Sequence, residues 1–96
     1  MKRNEQNDKP LFSLGKLYCT PGALEALEVD ELQEALDRHV RGDWGDVPTE
    51  DAAENELSLR EGFRIISSYT SLAGVRFWII TEADRSSTTA LLPSEY

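Results

Sequence analysis

The chain is poor in the residues that usually announce chemistry. It has one cysteine, Cys19, so no internal disulfide can form and no cysteine-based zinc site can be built from one copy. It has one histidine, His39, too few for a histidine-rich metal site. No apolar run approaches the ~20 residues a membrane span needs. There is no phosphate-binding glycine loop, no Gly-x-Ser-x-Gly, no internal repeat and no low-complexity stretch. Bases are scarce as well: 10 Lys and Arg stand against 18 Asp and Glu, for a formal net charge of -8. That balance argues against direct nucleic-acid binding, whose footprint is a basic patch. The first ten residues, Met1 to Pro10, are polar and lead into no apolar stretch, so they read as a polar, disordered tail and not a secretion signal. With no disulfide, this points to a reducing, cytoplasmic setting. Residues 11–96 are of a size for one domain.

What the chain does have is an uneven layout of charge. Residues 21–62 hold 13 of the 18 acids and only three bases, Arg38, Arg41 and Arg60. The block is near -10 and the remainder near +2. A compact acidic block repels nucleic acid and attracts basic protein surfaces.

The element pattern reads β-α-α-α-β-β-β. Leu11 to Cys19 places Phe12, Leu14 and Tyr18 on one side of an extended segment, with Gly15 marking a bulge. Thr20 before Pro21 is an N-cap followed by a first-turn proline, which starts a short helix to Glu28. Asp30 and Gln33 form a capping-box pattern at the head of a second helix. Its inward face is Leu32, Ala35, Leu36, His39 and Val40, and Gly42 ends it. Thr49 caps a third helix, Glu50 to Glu61, whose apolar side is thin. From Phe63 the period switches to two, and three strands with short links make an antiparallel meander. The fold class is therefore α+β, a small antiparallel sheet of about four strands against three short helices. Val75, Phe77 and Ile79 face one way on the middle strand, and Trp78 and Ile80 the other. Apolar surface around Trp78, Ile80 and Ile66 is either covered by another element or forms a dimer or partner site.

Candidate chemistry is sparse. His39 lies on an apolar helix face and reads as a buried, hydrogen-bonded ring; a catalytic role would need Cys19, Ser86 or Asp84 beside it. Glu82 and Asp84 could pair as acid and base, though their segment also reads as a turn before a threonine-rich strand. Cys19 precedes a helix N-terminus, where a dipole lowers a thiol pKa. Asp43-Trp44-Gly45-Asp46 lacks the calcium-loop spacing and reads as a turn, with Trp44 closing over the core and its indole N–H seeking an acceptor. No cofactor is implied.

Four stretches carry a resemblance: Thr20 to Leu27, Arg38 to Asp46, Trp78 to Ser86 and Thr88 to Tyr96. They resemble a widespread family of small acidic bacterial proteins from plasmids, phages and other mobile elements, and the similarity spans roughly residues 12–96. The chain is also similar to type II-A anti-CRISPR proteins, which inhibit Cas9. Neither resemblance brings catalytic residues with it. What they imply is a non-enzymatic inhibitor that binds a host defence nuclease. Its partner would be a basic, nucleic-acid-binding protein surface such as that of Cas9, with no direct contact to nucleic acid or membrane, and the inhibitor itself a monomer or homodimer. The expected contact residues are Glu34, Asp37, Asp43, Asp46, Glu50 and Glu54, with Trp44 or Trp78 as apolar anchor. Two alternatives stand beside it: a small enzyme using Glu82, Asp84, His39 or Cys19, and a homodimeric regulatory protein assembled through the sheet face.

Overall fold

The structure, a computed structural model, describes residues 9–96. Most of the expected polar tail over residues 1–10 lies outside the described residues. The elements are β1 (Lys16–Cys19), α1 (Pro21–Ala26), α2 (Val29–Val40), α3 (Thr49–Glu61), β2 (Ile65–Thr70), β3 (Arg76–Thr81) and β4 (Ser87–Leu91), with a 3₁₀ turn at Pro93–Glu95. This is the α+β order read from the sequence. No described helix is long and apolar enough to cross a membrane.

The four strands lie in the order β1-β4-β3-β2. β2, β3 and β4 form the antiparallel meander. β1 departs from expectation because it joins β4 in parallel, with Lys16 opposite Ser87 and Cys19 opposite Ala90. The sheet is mixed, not wholly antiparallel. The parallel direction lets β1 leave the sheet where β4 ends, so that α1 begins beside the C-terminal turn. There the Glu95 carboxylate accepts hydrogen bonds from the Thr20 hydroxyl and from the N–H groups of Gly22 and Leu92. Those donors, Thr20 foremost, hold the Glu95 carboxyl below the usual carboxylate range. The first strand is also shorter than expected. Gly15 turns the chain at φ +64°, its Cα backed against the Ser86 carbonyl, where a side chain would collide.

The helix starts follow local chemistry. Thr20 caps α1 through its hydroxyl, which accepts from Ala23 N–H, and Pro21 takes the first turn. α2 starts one residue before Asp30, because Glu31 reaches back to the Glu28 N–H at 3.2 Å. Thr49 lies inside α3, and Pro48 is the residue that precedes the helix.

One face of the sheet carries the core. Ala23 and Leu27 of the α1 segment and Ala35 of α2 pack on Tyr69, Phe77, Ile79 and Ala90. Phe77 and Ile79 are essentially fully buried, and each such side chain contributes about 1.5–3 kcal/mol of transfer free energy. The opposite face carries Trp78 and Ile80. Ile80 is buried, and Trp78 is half-buried beneath Tyr96, the rings meeting edge to face with centroids 5.6 Å apart. The exposed dimer face expected around Trp78 and Ile80 is thus partly roofed by the chain's own last turn.

α3 packs differently. Its most buried residues are polar, Asn55 and Ser58. β2 is an edge strand, and its outward main-chain groups need partners. Asn55 supplies them like a strand: its amide N–H₂ donates to the Ile66 carbonyl at 2.8 Å, and its oxygen accepts from Ile66 N–H at 3.1 Å. Two residues on, Ser68 N–H donates to the Trp44 carbonyl and its own carbonyl accepts from Asp46 N–H. Gly45, at φ +73°, is wedged against Ser68 and the Tyr69 ring, where no side chain fits. α3 and the Trp44–Asp46 segment therefore close the β2 edge with hydrogen bonds in place of an apolar stripe. Asn55→Ala orphans both main-chain groups of Ile66, and chemical denaturation is expected to show a loss of about 2 kcal/mol. A loss below about 0.5 kcal/mol, the size of an ordinary surface change, would contradict that reading of the edge.

Candidate functional site

A hollow lies between α3 and the outer face of the sheet. It is an open cleft of about 640 Å³. Its sheet side presents Ile66, Ser68, Arg76 and Trp78; Phe63, Arg64 and Tyr96 line it too. Its other side is Asp46, Val47, Pro48 and the α3 residues Asp51, Glu54, Asn55 and Ser58. The cleft is two-sided in charge. The arginines are already engaged: Arg64 donates to the Tyr96 hydroxyl at 2.8 Å and pairs with Glu82 at 3.4 Å, and Arg76 donates to the Ser68 hydroxyl at 3.0 Å. Phe63 and Tyr96 remain mostly exposed beside it. Of the expected contact residues, Asp46, Glu54 and Trp78 line this cleft.

The others lie elsewhere. Glu34 borders a smaller hollow of about 280 Å³ with Asp30, Glu31, Arg38, Tyr69 and Leu72. Within it Glu31 is occupied, accepting from Leu72 N–H at 2.7 Å. Asp46 also accepts from the Thr70 hydroxyl at 3.2 Å; Thr70 borders the smaller hollow, so this bond stands between the two. Asp37 and Glu50 are exposed but line neither hollow. The acids therefore do not form a single face.

Two expected contact residues are already engaged within the fold. Asp43 is not a free carboxylate. It receives the Arg38 guanidinium at 2.8 and 3.3 Å and the Gly45 N–H at 3.2 Å. The Arg38 bond, foremost, holds its carboxyl below the usual range. The Arg38 guanidinium in turn stacks 4.7 Å over the Tyr69 ring, and the Tyr69 hydroxyl donates to the Asp43 carbonyl. Trp44 is only 6% exposed, so it cannot anchor a partner. It closes over the core as its turn implied, and its indole N–H donates to Glu56 at 2.9 Å.

His39 sits at the centre of the molecule with no exposed surface. Its Nδ1 lies 2.5 Å from the Ser67 hydroxyl and its Nε2 lies 2.8 Å from that of Thr81. Thr81 contacts Thr88 at 2.7 Å, and Thr88 donates to the Leu14 carbonyl at 2.7 Å. A carbonyl cannot donate, so the chain has one direction. Thr88 gives its proton to Leu14 and accepts from Thr81; Thr81 then accepts from Nε2–H; bare Nδ1 accepts from Ser67. The relay thus requires a proton on Nε2, and burial keeps the ring neutral, which leaves Nδ1 as an acceptor. The rings of Phe12 and Trp44 enclose it, with centroids at 5.3 and 5.9 Å. Burial, aided by the Arg85 cation, pushes the His39 pKa down to about 3. The pairing of Ser67 with His39 has the form of a nucleophile and base, but Ser67 is itself fully buried and no substrate reaches it.

The other catalytic candidates do not converge with His39 by any recorded bond. Glu82 is tied to Arg64, and Asp84 caps the Ser86 N–H at 3.0 Å. Burial and the nearby Glu95 push the Cys19 thiol up, opposite to the lowering expected from a helix dipole; α1 is only six residues long. Among the described residues, no three His, Cys, Asp or Glu side chains come together to hold a metal ion.

Sequence reading missed two functional side chains. Asn55 stood in a helix, where asparagine is a poor former, and that misfit was its only signal. Arg85 occupies a left-handed position, φ 61°, where glycine is usual. Its guanidinium donates to the carbonyls of Phe63 at 2.7 Å and Ser58 at 2.8 Å, and to those of Glu82 and Ala83 at 3.2 Å. It joins the β3–β4 turn to the end of α3.

Set against known protein families, curated proteins and solved structures, the chain matches none of them.

Because its folded pKa lies far below the ordinary value of ~6.5, His39 binds a proton more readily in the unfolded chain. Stability is therefore complete above pH 6.5 and falls as pH drops toward 3, by at most about 1.4 kcal/mol per unit. Denaturation at pH 7 and pH 4.5 is expected to show this loss, and nitrogen NMR to show Nε2–H with no titration between them. A ring that titrates near pH 6 would contradict the buried relay.

Proposed function

We propose that the protein is a non-enzymatic inhibitor that binds a basic, nucleic-acid-gripping surface of a host defence nuclease, of which Cas9 is the leading candidate. The observation that carries this reading is the α3 wall of the large cleft. There Asp51 and Glu54, beside Asp46, stand over an aromatic floor that includes Trp78. Carboxylates at that rim would take the place of phosphates against a partner's arginines and lysines. Trp78 and Phe63 would supply the apolar contact that charge alone does not give. The sheet-side arginines compete little for those acids, because Arg64 and Arg76 are held by Glu82, Tyr96 and Ser68.

The revised contact set is Asp46, Asp51, Glu54 and Trp78 in the cleft, with Glu50 one turn before Glu54 on α3, and with Glu34 and Asp37 elsewhere. Asp43 and Trp44 serve the fold. The double change Glu50→Lys with Glu54→Lys is made at exposed positions and leaves the core untouched. In a pull-down and cleavage assay with Cas9 and other candidate nucleases, it is expected to weaken inhibition by about tenfold or more, equivalent to ~1.4 kcal/mol. Binding should also weaken as salt rises, since exposed charges are screened beyond about 8 Å at physiological ionic strength. Asp43→Asn, by contrast, should leave binding intact and cost less than about 1 kcal/mol of stability, as a largely exposed ion pair does. Undiminished inhibition after the double reversal would refute the electrostatic mechanism.

A further inference from the structure

The two edges of the sheet are treated differently. The β2 edge is closed by Asn55 and by the Trp44–Asp46 segment. The β1 edge is not. Lys16 N–H donates to Ser86 and Thr20 N–H to Ala90, so the even-numbered residues of β1 face β4. In a parallel ladder the odd-numbered residues then turn their main-chain groups away. Leu17 and Cys19 therefore present N–H and C=O groups outward, and among the described residues no hydrogen bond is recorded to them from that side. Leu17 and Tyr18 beside them are more than half exposed. An open edge with exposed apolar side chains is a template for another strand.

We propose that this edge pairs antiparallel with the β1 edge of a second copy, joining two four-stranded sheets into one of eight. The register follows from the outward groups. Leu17 of each copy exchanges both main-chain hydrogen bonds with Cys19 of the other, which gives four bonds about a two-fold axis. Tyr18 then faces Tyr18 in the closer, non-hydrogen-bonded pair, on the outer face of the sheet. Lys16, the only charge in the strand, falls opposite Thr20. No like charges meet.

Charge opposes self-association less at this edge than at the α3 side. β1 lies outside the acidic 21–62 block. The strand order places β2 and its α3 neighbour three strands away, roughly 14 Å at the usual ~4.8 Å spacing and beyond the ~8 Å screening length. Two copies with a net charge of -8 each thus meet with their α3 acids apart. The proposal is independent of the nuclease reading.

Sedimentation velocity of the whole chain, from micromolar to near-millimolar, is the test. The wild type is expected to show a monomer–dimer equilibrium. Leu17→Pro removes an outward N–H without touching the β4 ladder, so it should give a monomer of unchanged circular dichroism. Tyr18→Lys sets like charges at the two-fold axis and should do the same; it decides the matter if the proline variant unfolds. With Cys19→Ala as background, Tyr18→Cys should cross-link under mild oxidation and Leu17→Cys should not. A wild type that stays monomeric over the whole range, leaving the edge to another protein's strand or to none, overturns the proposal. So does a dimer indifferent to Tyr18→Lys.

Discussion

A single neutral imidazole ties the molecule together. His39 comes from α2, Ser67 from β2, Thr81 from β3, Thr88 from β4, and Leu14 from the segment before β1. Thr81 and Thr88 each donate one hydrogen bond and accept another, and the Ser67 hydroxyl donates to Nδ1 at the head of the relay. A buried polar network of this kind is worth having only when complete. Its directionality fixes the tautomer, and through it the relative seating of four elements. A purely apolar residue at 39 would fill the space but would leave the Ser67 and Thr81 hydroxyls without those partners.

Around that centre, polar contacts perform tasks that apolar packing performs in larger domains. α3 has no apolar stripe worth the name, yet Asn55 and the Arg85 guanidinium dock it on main-chain groups of β2 and the loops. Arg85 accepts a left-handed backbone, a strain of order 1 kcal/mol, because its side chain reaches four carbonyls from there. The open cleft follows from this design. A helix held by a few directed bonds need not press flat against the sheet, so space remains between its acidic side and Trp78.

The sequence made the element order plain because the 3.6 and 2.0 periods are clean in α2 and β3. The role of Trp44 was equally legible, since a large aromatic flanked by turn residues in a small domain belongs over the core. Hidden features depended on pairing over long distances. Nothing local to Lys16–Cys19 distinguishes a parallel partner from an antiparallel one. Nothing local to Asp43 reveals that Arg38, back along α2, will neutralise it. The acidic block looked like one face because sequence distance stood in for spatial distance; folding sent its members to two hollows and to separate surfaces. Asn55 and Arg85 stayed inconspicuous because their partners are main-chain atoms, which carry no residue identity to read.

The clasp between Glu95 and the Thr20–Gly22 corner has a temporal meaning. β1 cannot find its place until β4 exists, since Lys16 pairs with Ser87, and the Gly22 N–H at the head of α1 has no side-chain partner until Glu95 arrives. Closing so long a loop costs entropy before any contact repays it. During synthesis the β2–β3 hairpin and α2 can assemble early, while β1 waits for Ser87–Leu91 before it has a strand to pair with.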